Sequence, residues 1–357
     1  MRIILLVVFI LIFSSIQFNT LYSQEKSPFK ISGLLFGDYF YKIHGDTSGT
    51  LGEYSLYKKD YQAFDLRRVI LSYEHSISDK FTAAFTLEGG NKFLGSGGRY
   101  SVIVKAAYLE WKNIFEGSNL YAGYFLTPAF VWGISEKMWA YRSVEKTISD
   151  FRSLTTAVDL GVGLKGCFDK KSKYGYFIMI GNGTATRPEN NKYKNYYASL
   201  NAKPVENLNI EAYTEFEPNA DDKNKLTFKG VLAYQTPFFT IGAEAVNQVK
   251  KKAGVNSSDV NPFGISFYAH GTLIKDKKNK ASKLNAFARF DVYDPDMKLD
   301  TAGFIENFIT AGLDFMPIPS IHIMPNVWIN TYTDKSSAKI KKDSDIVARL
   351  TFFYIYK

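Results

Sequence analysis

Apolar and polar side chains alternate along most of this chain with a period of two. From Val158 to Lys165, the residues Val158, Leu160, Val162 and Leu164 are apolar, while Asp159, Gly161, Gly163 and Lys165 are polar or small. A pleated strand sends successive side chains to opposite faces, so the pattern predicts strands with one greasy face. It recurs at Phe81, Ala83, Phe85 and Leu87 against Thr82, Thr86 and Glu88. It recurs again at Leu284, Ala286, Ala288, Phe290 and Val292 against Asn285, Arg289 and Asp291, and at Leu350, Phe352, Tyr354 and Tyr356 against Arg349 and Thr351. About sixteen such runs are present, each near the ~9 to 11 residues that a tilted membrane strand needs.

The joints have a periodicity of their own. Short polar joints at 77–80, 113–118, 169–173, 203–207, 235–238 and 316–319 alternate with longer ones at 45–61, 89–101, 127–155, 250–262 and 331–343. Short turns at one end and long loops at the other mark an outer-membrane barrel, whereas a soluble β-sandwich has no reason for the asymmetry. Residues 274–283 are the exception, being long for a turn. Trp111, Phe115, Phe168, Tyr174, Tyr176, Tyr234, Phe239, Phe315, Tyr354 and Tyr356 flank the short joints, where an interfacial aromatic girdle belongs.

The first residues differ in kind. Met1 and Arg2 precede an apolar run from Ile3 to Phe13, followed by Ser14, Ser15, Gln17 and Asn19. That core is shorter than the ~20 residues of a spanning helix and reads as a cleaved secretory signal over residues 1–23. The rest, 24–357, holds no second long apolar run, so it can cross a membrane only as a closed barrel that satisfies its own backbone hydrogen bonds. The fold expected is all-β: a transmembrane antiparallel β-barrel of about sixteen strands, with short periplasmic turns and long extracellular loops.

Composition narrows the classes further. A single cysteine, Cys167, supplies neither a disulfide scaffold nor a Cys-rich zinc module. With 24 Tyr and 29 Phe beside 11 Pro, the chain is neither disordered nor collagenous. Much of the formal charge of +9 sits in joints, at Lys170, Lys171 and Lys173, at Lys250 to Lys252, at Lys275, Lys277, Lys278 and Lys280, and at Lys341 with Lys342. Such runs are solvated faces, and with no helix or aromatic platform to present them they do not point to nucleic acid.

Strand phase assigns the basic residues Arg68, Lys165, Lys229, Arg289 and Arg349 to the lumen. It assigns the acids Glu74, Glu88, Glu110, Asp159, Glu211, Glu215, Glu244, Asp291 and Glu306 there too, so the expected wall is not positive. The long segment 127–155 carries Glu136, Lys137, Arg142, Glu145, Lys146, Asp150 and Arg152 among Trp132, Trp139 and Tyr141. A charged constriction inside a polar tube would set the field felt by a passing solute, and Arg142, Lys146 and Arg152 are its candidates. The alternative is that the segment packs outside the barrel or between protomers with its charges paired.

Catalytic chemistry is scarce. Gly161-Val162-Gly163-Leu164-Lys165-Gly166 fits the dinucleotide fingerprint formally, but it lies inside a strand rather than between a strand and a helix. His44, His75, His270 and His322 lack metal-ligand spacing, and there is no Gly-x-Ser-x-Gly or His-Glu-x-x-His. A barrel phospholipase with His75 or His270 as base is the minority reading. Asp291, Asp294, Asp296 and Asp300 around Pro295 suit a Pro-Asp turn better than a calcium loop. No metal and no cofactor is called for.

Several segments together resemble the phosphate-selective porin O and P family. They are Phe64-Asp65-Leu66-Arg67-Arg68 with the Ser78-Asp79-Lys80-Phe81 turn, Ala107-Tyr108-Leu109-Glu110-Trp111, Gly123-Tyr124-Phe125-Leu126-Thr127-Pro128, Asp159 to Gly166, Asn182-Gly183, and Arg289 to Asp296. The resemblance implies a sixteen-stranded trimeric outer-membrane channel with the segment after Pro128 folded inward. Phosphate capture favours guanidinium, and the chain after residue 23 has only Arg67, Arg68, Arg99, Arg142, Arg152, Arg187, Arg289 and Arg349. The expectation is thus a non-enzymatic porin for small hydrophilic solutes or ions, including anions such as phosphate. Its expected partners are outer-membrane lipid and lipopolysaccharide, the solutes, and two further copies in a homotrimer. A substrate-specific uptake channel is the other transport reading. The residues expected to line the pore are Arg68, Arg142, Lys146, Arg152, Lys165, Arg289 and Arg349.

Overall fold

A computed structural model describes residues 28–50, 53–276, 282–337 and 340–356. The signal segment expected over residues 1–23 lies outside them, as do Lys277, Lys278 and Lys280. The strands are β1 (Phe29–His44), β2 (Gln62–Ser76), β3 (Phe81–Leu94), β4 (Tyr100–Phe115), β5 (Ser118–Leu126), β6 (Val158–Cys167), β7 (Tyr174–Gly181) and β8 (Asn195–Ala202). They continue as β9 (Leu208–Glu217), β10 (Lys225–Gln235), β11 (Phe239–Lys250), β12 (Phe263–Lys275), β13 (Ser282–Asp294), β14 (Phe304–Ile318), β15 (Ile321–Asp334) and β16 (Asp345–Tyr356). Each pairs antiparallel with its sequence neighbours, and β1 pairs with β16 to close the barrel, so the sixteen-stranded fold expected from the alternation is the one observed. Closure leaves no free strand edge.

The pleat sorts side chains as the alternation requires. In β10, Thr227, Lys229, Val231 and Ala233 are buried inside while Phe228, Leu232 and Tyr234 are exposed outside. Tight turns such as 116–117 and 319–320 mark one end, and long loops such as 45–61 and 127–157 the other. Two joints differ from expectation. Strands β3 and β4 run on to Leu94 and from Tyr100, leaving a connection of only residues 95–99 where 89–101 was expected. Gly97 and Gly98, at φ of 73° and 71°, make that tight reversal possible. Likewise β12 runs on to Lys275 and β13 starts at Ser282, both inside the joint expected at 274–283.

The interior is filled by two inward loops. Loop 3 (127–157) contains two short helices, α1 (Ser135–Trp139) and α2 (Ile148–Phe151). Its Met138, Trp139, Tyr141 and Val144 pack against Tyr268, Phe287 and Met324 of the wall, and Phe151 packs against Phe308 and Trp328. Burial of this apolar set stabilises the loop inside the barrel at roughly 25 cal/mol per Å². Loop 1 (45–61) also folds inward, and Tyr54 is wedged against Phe40 and Trp328 with its hydroxyl donating to Asp38 Oδ2 at 2.6 Å. The sequence pattern marked 45–61 as a long joint, but nothing in it marked the inward fold.

Candidate constriction site

Charged side chains on the wall pin loop 3 from several sides. From β2, Arg67 donates to the carbonyls of Ser143 (2.9 Å) and Val144 (3.0 Å). From β16, Arg349 reaches the same Val144 carbonyl at 3.1 Å, and from β15 the Trp328 indole donates to Glu145 Oε2 at 2.9 Å. Across the lumen, Lys229 of β10 bridges the Ala129 carbonyl, Ser135 Oγ and Glu211, while Glu244 of β11 accepts from the Ser149 hydroxyl at 2.6 Å. Arg152, within the loop, pairs with Glu306 of β14 at 2.6 Å and lies over the rings of Phe151 and Tyr293. Each loop carbonyl in this set has a donor, which removes the usual cost of burying irregular backbone.

A space of about 220 Å³ lies against loop 3 between Tyr141, His270, Asp314 and His322, and elsewhere, between loop 3 and the β2–β4 wall, lies a narrow charged cavity of about 180 Å³, the candidate passage. Its cations are Arg67, Arg68, Lys92, Lys105, Arg142 and Lys146. Its anions are Glu53, Glu88, Glu136 and Asp150, so six positive groups face four negative ones at its surface, while Asp38 and Glu145 stand behind Arg67 at 3.3 and 3.9 Å. Arg68 and Lys105 share Glu88, at 2.6 and 2.9 Å. Arg142 sits between Glu136 (3.2 Å) and Asp150 (3.6 Å). Glu53, brought in by loop 1, meets Arg67, Lys92 and Lys146 at 3.6, 3.1 and 3.9 Å. Burial opposes the Glu53 charge, but the three cations outweigh it and hold its carboxyl below the usual glutamate range. Burial raises the Glu136 carboxyl against the pull of Arg142 and Arg68, and lowers the Lys146 ammonium.

The seven residues expected at the pore separate into three groups. Arg68, Arg142 and Lys146 come together at the passage. Arg152, Arg289 and Arg349 are buried where wall and loop 3 meet. There Arg289 pairs with Asp291 at 2.5 Å, donates to the Lys146 carbonyl and stacks over Trp139 and Phe308. Lys165 stands over Trp132 and Phe177, in an aromatic cluster with Tyr121 and Phe125, with no carboxylate within 4.0 Å among the described residues.

Arg67, Lys92 and Lys105 were not singled out by the pattern. Arg67 and Arg68 are adjacent, and regular phase would send them to opposite faces. The β1–β2 register slips between Phe36 and Asp38, so that Leu66 and Arg67 together oppose Gly37 and both arginines reach the lumen. Beside them Gly90, at φ of 145°, brings β3 so near that a Cβ would lie 2.3 Å from the Arg67 carbonyl.

The other sites weighed from sequence take ordinary structural roles. His270 meets the Met138 carbonyl at 2.9 Å, His75 lies beside Tyr73, and neither is hydrogen-bonded to a serine hydroxyl among the described residues. Asp294 is held by Lys335 at 2.8 Å and Asp291 by Arg289.

No family model and no curated protein matches the sequence, so the likeness to the phosphate-selective porin O and P family rests on the motifs quoted above. Solved structures do match in fold. The outer membrane channel DcaP of Acinetobacter baumannii aligns with a TM-score of 0.67 at 13% identity, over 92% of this chain and 97% of that one. An anion-selective porin from Comamonas acidovorans gives 0.63 at 11% identity, over 92% and 99%. The trimer form of OmpT from Vibrio cholerae gives 0.59 at 13% identity, over 92% and 99%. The chain therefore has the closed sixteen-stranded barrel of outer-membrane porins.

Proposed function

We propose that this protein is a porin of the cell outer membrane that lets small hydrophilic solutes diffuse passively, with a preference for anions. The observation that carries the reading is the charged cavity between loop 3 and the wall of the barrel. A hydrated solute confined there meets fixed charge with little water to screen it, so a surplus of two positive groups at its surface biases the traffic. In this reading Arg68, Arg142 and Lys146, with Arg67, Lys92 and Lys105, set the ion preference. Arg152, Arg289 and Arg349 act instead as pins that hold the constriction loop in place. The shape similarity to an anion-selective porin supports the sign, the motif resemblance supports phosphate among the solutes, and the trimeric neighbour supports a homotrimer. Export through a cleaved signal at residues 1–23, short turns in the periplasm and long loops outside complete the arrangement.

The test is electrophysiological. Refolded protein in planar bilayers under a salt gradient is expected to give steady current steps and a reversal potential of anion-selective sign. Arg68→Gln with Arg142→Gln removes two charges, cancels the surplus at that surface and should bring that potential close to zero. Folded, inserted protein that carries no current would end the porin reading.

A further inference from the structure

A second cavity, of about 470 Å³, opens on the loop side of the passage. Glu53, Arg67, Asn91 and Lys92 line both spaces, so a solute leaves one directly into the other. We propose that this vestibule is a binding site for a hydroxylated ring carrying one anionic group, the chemistry shared by hexose phosphates and hexuronates. The proposal rests on the porin reading and names the solute class that the same entrance selects.

Three kinds of surface converge there. Tyr57 and the exposed Tyr100 line it, with Leu56 and Leu94 beside them. Tyr57 is itself stacked on Tyr61, centroids 4.2 Å apart and planes 6° from parallel, which fixes the orientation of its ring. A flat apolar surface of this kind suits the C–H face of a pyranose. Next come acceptors. Asp65 receives the Asn91 amide at 2.5 Å and the Tyr100 hydroxyl at 3.5 Å, and Asp65 and Asn91 both line the space. Carboxylate and amide oxygens are the acceptors that a ligand rich in hydroxyl donors needs. Finally, Arg67 and Lys92 stand where the vestibule meets the passage, placed for a phosphate or carboxylate substituent. Inorganic phosphate would use only these cations and a neutral sugar only the first two surfaces, so a solute with both features gains over either. A nucleotide would bring its own ring acceptors against Asp65 and Asn91.

The experiment compares current block by glucose 6-phosphate, glucuronate, inorganic phosphate, glucose and adenosine monophosphate, with calorimetric titration of the same probes into the full-length protein folded in detergent. Glucose 6-phosphate, glucuronate or both should act at concentrations about tenfold or more below phosphate and glucose, a gap of one decade in affinity. Which of the two acts identifies the anionic group. Tyr57→Ala with Tyr100→Ala should erase that advantage while block by inorganic phosphate stays as it was. Steady steps with equal block by phosphate and the sugar acids would overturn the site and leave the porin reading standing. With no steps at all, calorimetry decides: preferential binding of the sugar acids upholds the site, and silence removes it. Tighter binding of adenosine monophosphate would overturn the assignment of ligand class.

Discussion

Glu136 and Lys146 face the same passage, and burial moves their proton affinities so that each loses its charge nearer to neutrality than usual. The raised Glu136 carboxyl takes up its proton at a higher pH than an ordinary glutamate, so acidification removes its negative charge from the passage before that of an ordinary glutamate. The lowered Lys146 ammonium gives up its proton below the usual lysine range, so alkalinity removes positive charge early. Anion selectivity should therefore rise as pH falls from neutrality and decline on the alkaline side. Reversal potentials measured against pH check both limbs. Glu136→Gln should flatten the acid limb alone, and an acid limb that survives this change would show that another carboxylate is responsible. Strand phase could place Arg68 in the lumen because one face of β2 is greasy. It could not place Arg67, because a one-residue bulge leaves no mark in the apolar pattern while moving a side chain from one face to the other.

At the level of elements, the strands were legible because each keeps an apolar face on the outside of the closed barrel, which writes the period of two into the chain. Loop 3 was legible as an inward segment through its charged residues and motif resemblance, whereas loop 1 was legible as the long joint 45–61 but not as an inward one. Both fold inward through contacts distant in sequence, such as Tyr54 of loop 1 on Trp328 and Glu145 of loop 3 with the Trp328 indole at 2.9 Å, and a local window does not contain such pairs. The pins make loop 3 testable as a unit. Removing Arg152 leaves the Glu306 carboxylate buried and unpaired, which typically costs about 3–5 kcal/mol. Arg152→Met should therefore loosen loop 3 and show larger, noisier current steps, whereas Lys251→Ala, which breaks an exposed pair with Asp259, should leave the steps as they are. Equal conductance in both variants would mean that the apolar contacts of Trp139, Tyr141 and Phe151 hold the loop without its ion pairs.

Across the whole barrel, strand length is uneven, and the unevenness bears on assembly. Strands β7 and β8 have 8 residues each, against 16 in β1 and β4. At a rise of about 3.3 Å per residue and a tilt near 40°, eight residues give roughly 20 Å of height, less than the ~25 Å apolar band of a membrane barrel. In the porin reading a wall that short is poorly matched to lipid, and another copy of the chain would cover it. Its outward face is apolar, with Ile178, Ile180, Tyr196 and Leu200 all exposed in the single chain. The proposed trimer should therefore close through β7 and β8. Ile178→Lys with Leu200→Lys puts two ammonium groups into that contact, and the variant should run as a heat-modifiable monomer on a native-like gel where the parent runs as a trimer. The same pair of changes on the tall side, at Leu313 and Val327, falls within a lipid-facing wall and should impair insertion, at roughly 2–4 kcal/mol for each lysine near the midplane, without dissociating the trimers that do form. A trimer that persists in the β7–β8 variant would move the contact to another part of the wall and leave the short strands to be matched by thinning of the bilayer.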